Sequence, residues 1–240
     1  MLRAESHVFS IYVRLLDEGT PCHRPAEAVY LGDGVYRLLA TPDYEQANEH
    51  WEFEPGSIVC CDEMRDSDSI FLRASELHPI QPRALVGMPL SGATRAGSMA
   101  MFSFGEIRTI QTPRGPKKAA EFALHLQCAW RLIEGEAVLM GSSDLYYPAG
   151  GSEDGSDFDW DEPGANRRDV LMTALMRNDG LFLVEKVILG RAGALQVFLK
   201  GDRCLEVFPD NSLEDEYWRL FRPGTENLHL AVCRSGVLHG

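Results

Sequence analysis

The sequence predicts an α+β fold that is mostly β, with a small five-strand barrel followed by a mainly antiparallel sheet domain carrying one or two helices. Three observations predict it. Short runs of strand formers recur through residues 1–77 between Gly, Pro and Asp punctuation. Residues 122–131 alternate apolar and polar side chains, the period of a strand with one buried face. Helical spacing is clear only after Asn166.

In the first part, Val8–Leu15 is rich in β-branched and aromatic residues and stops at Glu18-Gly19. Ala26–Leu31 and Val35–Leu39 flank Gly32-Asp33-Gly34, and an Asp-Gly connection between two such runs is a hairpin signal. Ser57–Cys61 follows the Pro55-Gly56 turn, and Ile70–Leu72 supplies a last short strand. Five strands in so short a segment favour closure into a barrel of the Src-homology-3-like kind, because curling the sheet hides its edges. Between His78 and Gly97, Pro79, Pro82, Pro89, Gly87, Gly92 and Gly97 mark a linker, placed at 78–98.

In the second domain, 99–240, Phe122 to Arg131 reads as one long strand, turned by Glu134-Gly135 into Ala137–Met140. Asn166 is placed to cap a helix whose Val170, Leu171, Ala174 and Leu175 share a face widened by Met172 and Met176, with Gly180 as its stop. Leu181–Leu189, Ala194–Leu199 and Cys204–Phe208 read as strands, the last two joined by Lys200-Gly201-Asp202-Arg203. Ser212 with Asp215 three residues on caps a short helix through Leu220, and His229–Cys233 closes the sheet.

Charge narrows the function. The 240 residues hold 23 Lys and Arg against 36 Asp and Glu, a net charge of −13. Nucleic-acid backbones are bound by clustered cations, so an acidic chain points to a basic protein partner and away from nucleic acid. The segment Met1–His7 lacks a long apolar run behind a basic end, and no apolar stretch has membrane length, so neither a secretory leader nor a membrane span is expected. The cysteines at 22, 60, 61, 128, 204 and 233 lack the dense spacing of a disulfide scaffold and read as reduced thiols of a cytoplasmic protein.

No complete catalytic or cofactor motif is present. Gly141-Ser142-Ser143-Asp144-Leu145 lacks the second glycine of a nucleophile elbow, and no glycine-rich phosphate cradle occurs. His125 and Cys128 are three apart on a strand and so face opposite ways. Cys22-His23, Cys60-Cys61 and the His229, Cys233 pair have no paired zinc-ligand spacing. Asp157, Asp159 and Asp161 have the opening spacing of a calcium loop, but its sixth and twelfth positions are Glu162 and Arg168 rather than Gly and Glu. No metal and no cofactor is therefore expected. An enzymatic alternative is a metal-dependent hydrolase using Asp144 and the loop carboxylates, with His125.

The densest chemistry lies in Gly150–Gly164, where Glu153, Asp154, Asp157, Asp159, Asp161 and Glu162 surround Phe158 and Trp160 without a basic residue. Such charge density demands an exposed loop, and the two aromatics argue against a merely solvating tract. Asp157, Phe158, Asp159, Trp160, Asp161 and Glu162 are the candidate partner-binding residues: the acids steer approach and Trp160 supplies buried contact. Asp210, Glu214, Asp215 and Glu216, beside Tyr217, Trp218 and Phe221, form a second acidic and aromatic cluster.

The run Leu205–Ser212, continuing through Tyr217–Gly224 to His229-Leu230, resembles uncharacterised bacterial proteins of the immunity-like kind associated with toxin systems. Leu126–Arg131, Gly141–Leu145 and Phe158–Asp161 look like upstream segments of the same family. The resemblance spans roughly 104–240. It implies a small α+β cytoplasmic protein with a role in toxin neutralisation, and it carries over no catalytic residues; joined to the acidic surface, the expectation is a non-enzymatic binding protein that docks on a basic effector or toxin.

Overall fold

The computed structural model describes residues 8–42, 44–45, 49–66, 69–113, 115–150, 158–177, 182–225 and 229–239. The chain divides into two compact units, Met1–Pro79 and Ile80–Gly240.

The first unit is a closed barrel of β1 (Val8–Arg14), β2 (His23–Gly32), β3 (Val35–Leu38), β4 (Ile58–Asp66) and β5 (Ser69–Leu77), in that order. Consecutive strands pair antiparallel, so an odd number of them can close only through a parallel pair. That pair is β1 with β5, Ile11 opposite Leu72. Asp33 and Gly34 both take positive φ, 53° and 74°, which gives the two-residue turn the twist that a β2–β3 hairpin needs. Ile11, Val13, Ala26, Ala28, Leu38 and Val59 point inward, and Trp51 packs with them from the β3–β4 connection. The barrel, its strand count and its hairpin are those read from the sequence.

The second unit contains two antiparallel sheets. One runs β16-β15-β14-β8-β7-β6, built from β6 (Leu90–Ala96), β7 (Met99–Thr112), β8 (Gly115–Leu126), β14 (Glu216–Phe221), β15 (His229–Cys233) and β16 (Gly236–His239). The other runs β10-β9-β13-β12-β11, from β9 (Ala129–Glu134), β10 (Ala137–Gly141), β11 (Val184–Leu189), β12 (Leu195–Leu199) and β13 (Arg203–Phe208). Phe102 of β7 meets Trp130 of β9 edge to face with ring centroids 5.2 Å apart, tying one sheet to the other. Phe104, Phe122, Leu124, Leu126, Leu132 and Trp218 fill the same core. Burying each such side chain contributes about 2 kcal/mol. One α-helix, α1 (Arg167–Arg177), lies among the described residues.

Several elements differ from the sequence expectation. The stretch 78–98, expected as a linker, holds a 3-10 turn at Pro82–Leu85 and strand β6, because its prolines and glycines punctuate structure instead of preventing it. Residues 122–131 are not one strand. Apolar alternation runs on through Cys128 and Trp130, but at Gln127, whose N–H donates to the Tyr217 carbonyl, the chain leaves one sheet for the other. The helix expected from Ser212 through Leu220 is strand β14, hydrogen-bonded on both edges, to β8 and β15. There Tyr217, Trp218 and Leu220 gain more from a pleated, two-sided burial than a helix would give them. The chain does not close its sheet at Cys233, since β16 follows as the edge strand. Gly180 and Leu181 lie outside the described residues.

Candidate functional site

The acidic segment is closed at its base before any side chain is considered. Ala149 N–H donates to the Ala165 carbonyl at 2.8 Å, Arg167 N–H donates to the Tyr147 carbonyl at 2.8 Å, and Pro148 bridges Asn166. Asn166 then caps α1 as its sequence position requires, its side-chain oxygen accepting the Asp169 N–H at 2.8 Å. Its Nδ2 donates to the Trp160 carbonyl at 2.9 Å, so the helix cap also holds the loop. Within the turn, Asp159 accepts the Asp161 N–H at 2.9 Å and Glu162 N–H returns to the Asp159 carbonyl at 3.2 Å.

An arginine from β6 completes the turn. The Arg95 guanidinium donates to both carboxylate oxygens of Asp169, at 2.7 and 3.1 Å, to the Asp161 carboxylate at 2.9 Å, and to the Asp161 carbonyl at 2.9 Å. Hydrogen bonding to Asp169 raises the Arg95 pKa against the opposing effect of burial. Burial pushes the Asp169 carboxyl up. Hydrogen bonds from Arg95, the Gly164 N–H and Asn166, with the Arg95 charge, more than offset it and leave the pKa below its ordinary 3.8. Arg168, fully buried behind this network, donates to the Ser98 carbonyl, while burial and then the Arg95 charge lower its pKa.

What faces outward is acidic and aromatic. Asp159, Asp161 and Glu162 are exposed, although Asp161 shares its charge with Arg95. Trp160 is 37 % exposed, and its ring meets that of Tyr146, 59 % exposed, at 5.8 Å. Tyr147 is equally exposed. Phe158 is half-buried and Asp157 lies outside the described residues. Of the candidates expected from the sequence, Asp159, Trp160, Asp161 and Glu162 share one turn, and the fold adds Tyr146 and Arg95 to them. The Tyr146-Tyr147 pair was legible as aromatics at the loop's entrance; Arg95, on a strand far upstream, was not.

Asp144 and Asp161, carboxylates of the hydrolase alternative, are engaged elsewhere. Asp144 accepts the Gly141 N–H at 2.8 Å, capping a 3-10 turn over Ser142–Tyr146, and pairs with Arg167 at 3.3 Å. His125 packs edge-on against Phe221 at 4.8 Å; burial lowers its pKa, Glu216 raises it and Arg219 lowers it, for a net decrease. Where a calcium ion would need Asp161, an arginine binds it. Burial pushes the Cys61 and Cys128 thiols to about 12 and the Cys204 thiol to about 11. Among the described residues no group of three or more His, Cys, Asp or Glu is placed to hold a metal ion. In the second acidic cluster Trp218 is fully buried and Tyr217 nearly so, while Glu216 pairs with Arg219.

Comparisons of the chain with protein-family models, curated proteins and solved structures find no match.

Proposed function

We propose that this is a non-enzymatic bacterial binding protein, of the immunity kind, that docks the acidic turn around Trp160 on a basic effector. The observation that carries the reading is the exposed Tyr146–Trp160 pair set among Asp159, Asp161 and Glu162 on a turn already tied down by Arg95 and Asn166. Aromatic anchors of this kind supply most of an interface's energy, and surrounding charge sets its encounter rate. A turn held in place before binding avoids the ordering cost that a floppy acidic loop incurs. The immunity role itself rests on the resemblance of 104–240 to immunity-like proteins.

The test is a pull-down from bacterial lysate with the wild-type chain and a Tyr146→Ala/Trp160→Ala variant, at low and high salt, read by mass spectrometry. A stoichiometric basic protein captured by the wild type, lost with the variant and weakened by salt is the expected result. A partner retained equally by the variant contradicts it.

A further inference from the structure

A second site lies on the second unit, built from different residues. Beyond the end of β11 the chain makes a tight 3-10 turn, Arg191–Gly193, whose Gly193 lies against Val232 of β15 and Pro209 just after β13. Beside it lies a pocket of about 400 Å³, walled by Leu189, Pro209, Tyr217, Val232 and Val237. That volume falls within the range of about 300–1,000 Å³ typical of small-molecule sites.

The wall is held rigidly. Ala192 takes φ 53° and Gly193 φ 76°, both in the left-handed region, and a side chain at Gly193 would place its Cβ 2.4 Å from Val232 Cγ1. The Gly193 carbonyl accepts the indole N–H of the fully buried Trp218 at 2.7 Å. The Tyr217 hydroxyl donates to the Asn211 carbonyl at 2.8 Å and so spends its proton inside the wall. Backbone held in sparsely populated conformations by its surroundings is a recurrent mark of ligand sites.

The mouth is polar, and Arg234 is the cation in its lining. Asn211, Ser212 and Arg234 reach it. Two carboxylates nearby are turned onto backbone donors and not onto Arg234: Asp210 accepts the Ala129 N–H at 3.3 Å and Glu214 the Ser235 N–H at 3.2 Å. Arg234 is exposed and forms no ion pair among the described residues, in a chain whose net charge is −13. An apolar pocket with an uncommitted guanidinium at its mouth is complementary to an apolar tail ending in a carboxylate. We infer that this pocket binds a small amphipathic carboxylate, its tail against Leu189, Val232 and Val237 and its head group on Arg234. The site is independent of the acidic turn.

Cys233 lines the pocket and is half-buried, which makes it a reporter, and Cys22 on the first unit serves as its internal control. The experiment follows iodoacetamide alkylation of both thiols in the full chain by peptide mass, with octanoate, octan-1-ol and acetate as probes. Octanoate is expected to slow alkylation of Cys233 saturably and leave Cys22 unchanged, with octan-1-ol weaker and acetate without effect. Arg234→Gln is expected to weaken octanoate about tenfold while leaving octan-1-ol as it was, the loss of one charged hydrogen bond. Failure of octanoate to protect Cys233, equal protection in Arg234→Gln, or equal protection of Cys22 overturns the inference.

Discussion

The acidic turn at 158–162 and the acidic stretch at 210–216 look alike in sequence, each a run of carboxylates beside tryptophan and another aromatic, yet they end in opposite environments. At Trp218 the indole is fully buried, its N–H is used by Gly193, and the neighbouring acids take up local hydrogen bonds and an ion pair with Arg219. At Trp160 the indole keeps 37 % of its surface and leans on another exposed ring. The difference is the partner available to the backbone. Residues 216–221 have β8 on one side and β15 on the other, so the pleat turns Trp218 inward. Residues 158–162 have no strand partner and are held by Arg95 and Asn166 instead, which leaves the side chains outside. Acids next to aromatics do not by themselves mark a docking surface; the hydrogen bonding of the backbone decides.

Truncating the two indoles should separate the regions by the largest margin. Trp218→Ala should cost about 4 kcal/mol in denaturant unfolding, from lost contacts and the cavity left behind. Trp160→Ala should stay within about 0.5 kcal/mol of wild type, as expected for a surface side chain. Equal costs would show that the two regions are not different in kind.

Next in size is the arginine that holds the turn. Arg95 and Asp169 side chains are only 9 % and 14 % exposed, so Arg95→Ala leaves a largely buried carboxylate without its partner and should destabilise the second unit by about 3 kcal/mol. Asn166→Ala removes the helix cap and should cost about 1 kcal/mol by the same measurement. It should also speed amide exchange at Asp161 and Asp169.

The smallest effects lie in the pH dependence of unfolding. Asp169 has a folded pKa below 3.8, so its contribution is complete above the unfolded value and is lost as pH falls through the folded one. Asp169→Asn should therefore flatten the stability profile below about pH 4. His125 has a folded pKa below 6.5, so the unfolded chain takes up the proton first and stability falls as pH drops below 6.5, then levels under the folded value. His125→Gln should remove that step.

The barrel was legible because its strands are separated by turn residues and pair with their sequence neighbours. The second unit was less so. Its sheets interleave distant strands, β14 between β8 and β15, and β13 between β9 and β12, and periodicity reports burial without saying against which sheet. Alternation across Phe122 to Trp130 survives the change of sheet at Gln127, which is why one strand was expected where two exist. The aromatic cluster at 217–221 looked like a helix because Ser212 and Asp215 fit a capping pattern, but long-range pairing outweighs a local cap. For the candidate site, the charge density and Trp160 were visible in the chain and the Asn166 cap was placed correctly. The countercharge was not, since Arg95 reaches the turn only through the fold.

Trp160 stands exposed among Asp159, Asp161 and Glu162. The protein's other tryptophans, Trp51, Trp130 and Trp218, are buried, so collisional quenching of tryptophan fluorescence tests that exposure directly. With each quencher scaled to its effect on free tryptophan amide, caesium should reach one accessible component more readily than iodide at low salt, the gap should narrow as salt is added, and the component should vanish in Trp160→Phe. An accessible component that survives in Trp160→Phe, or one that iodide reaches as readily as caesium on that scale, would show that Trp160 is not the exposed indole or that its surroundings are not acidic.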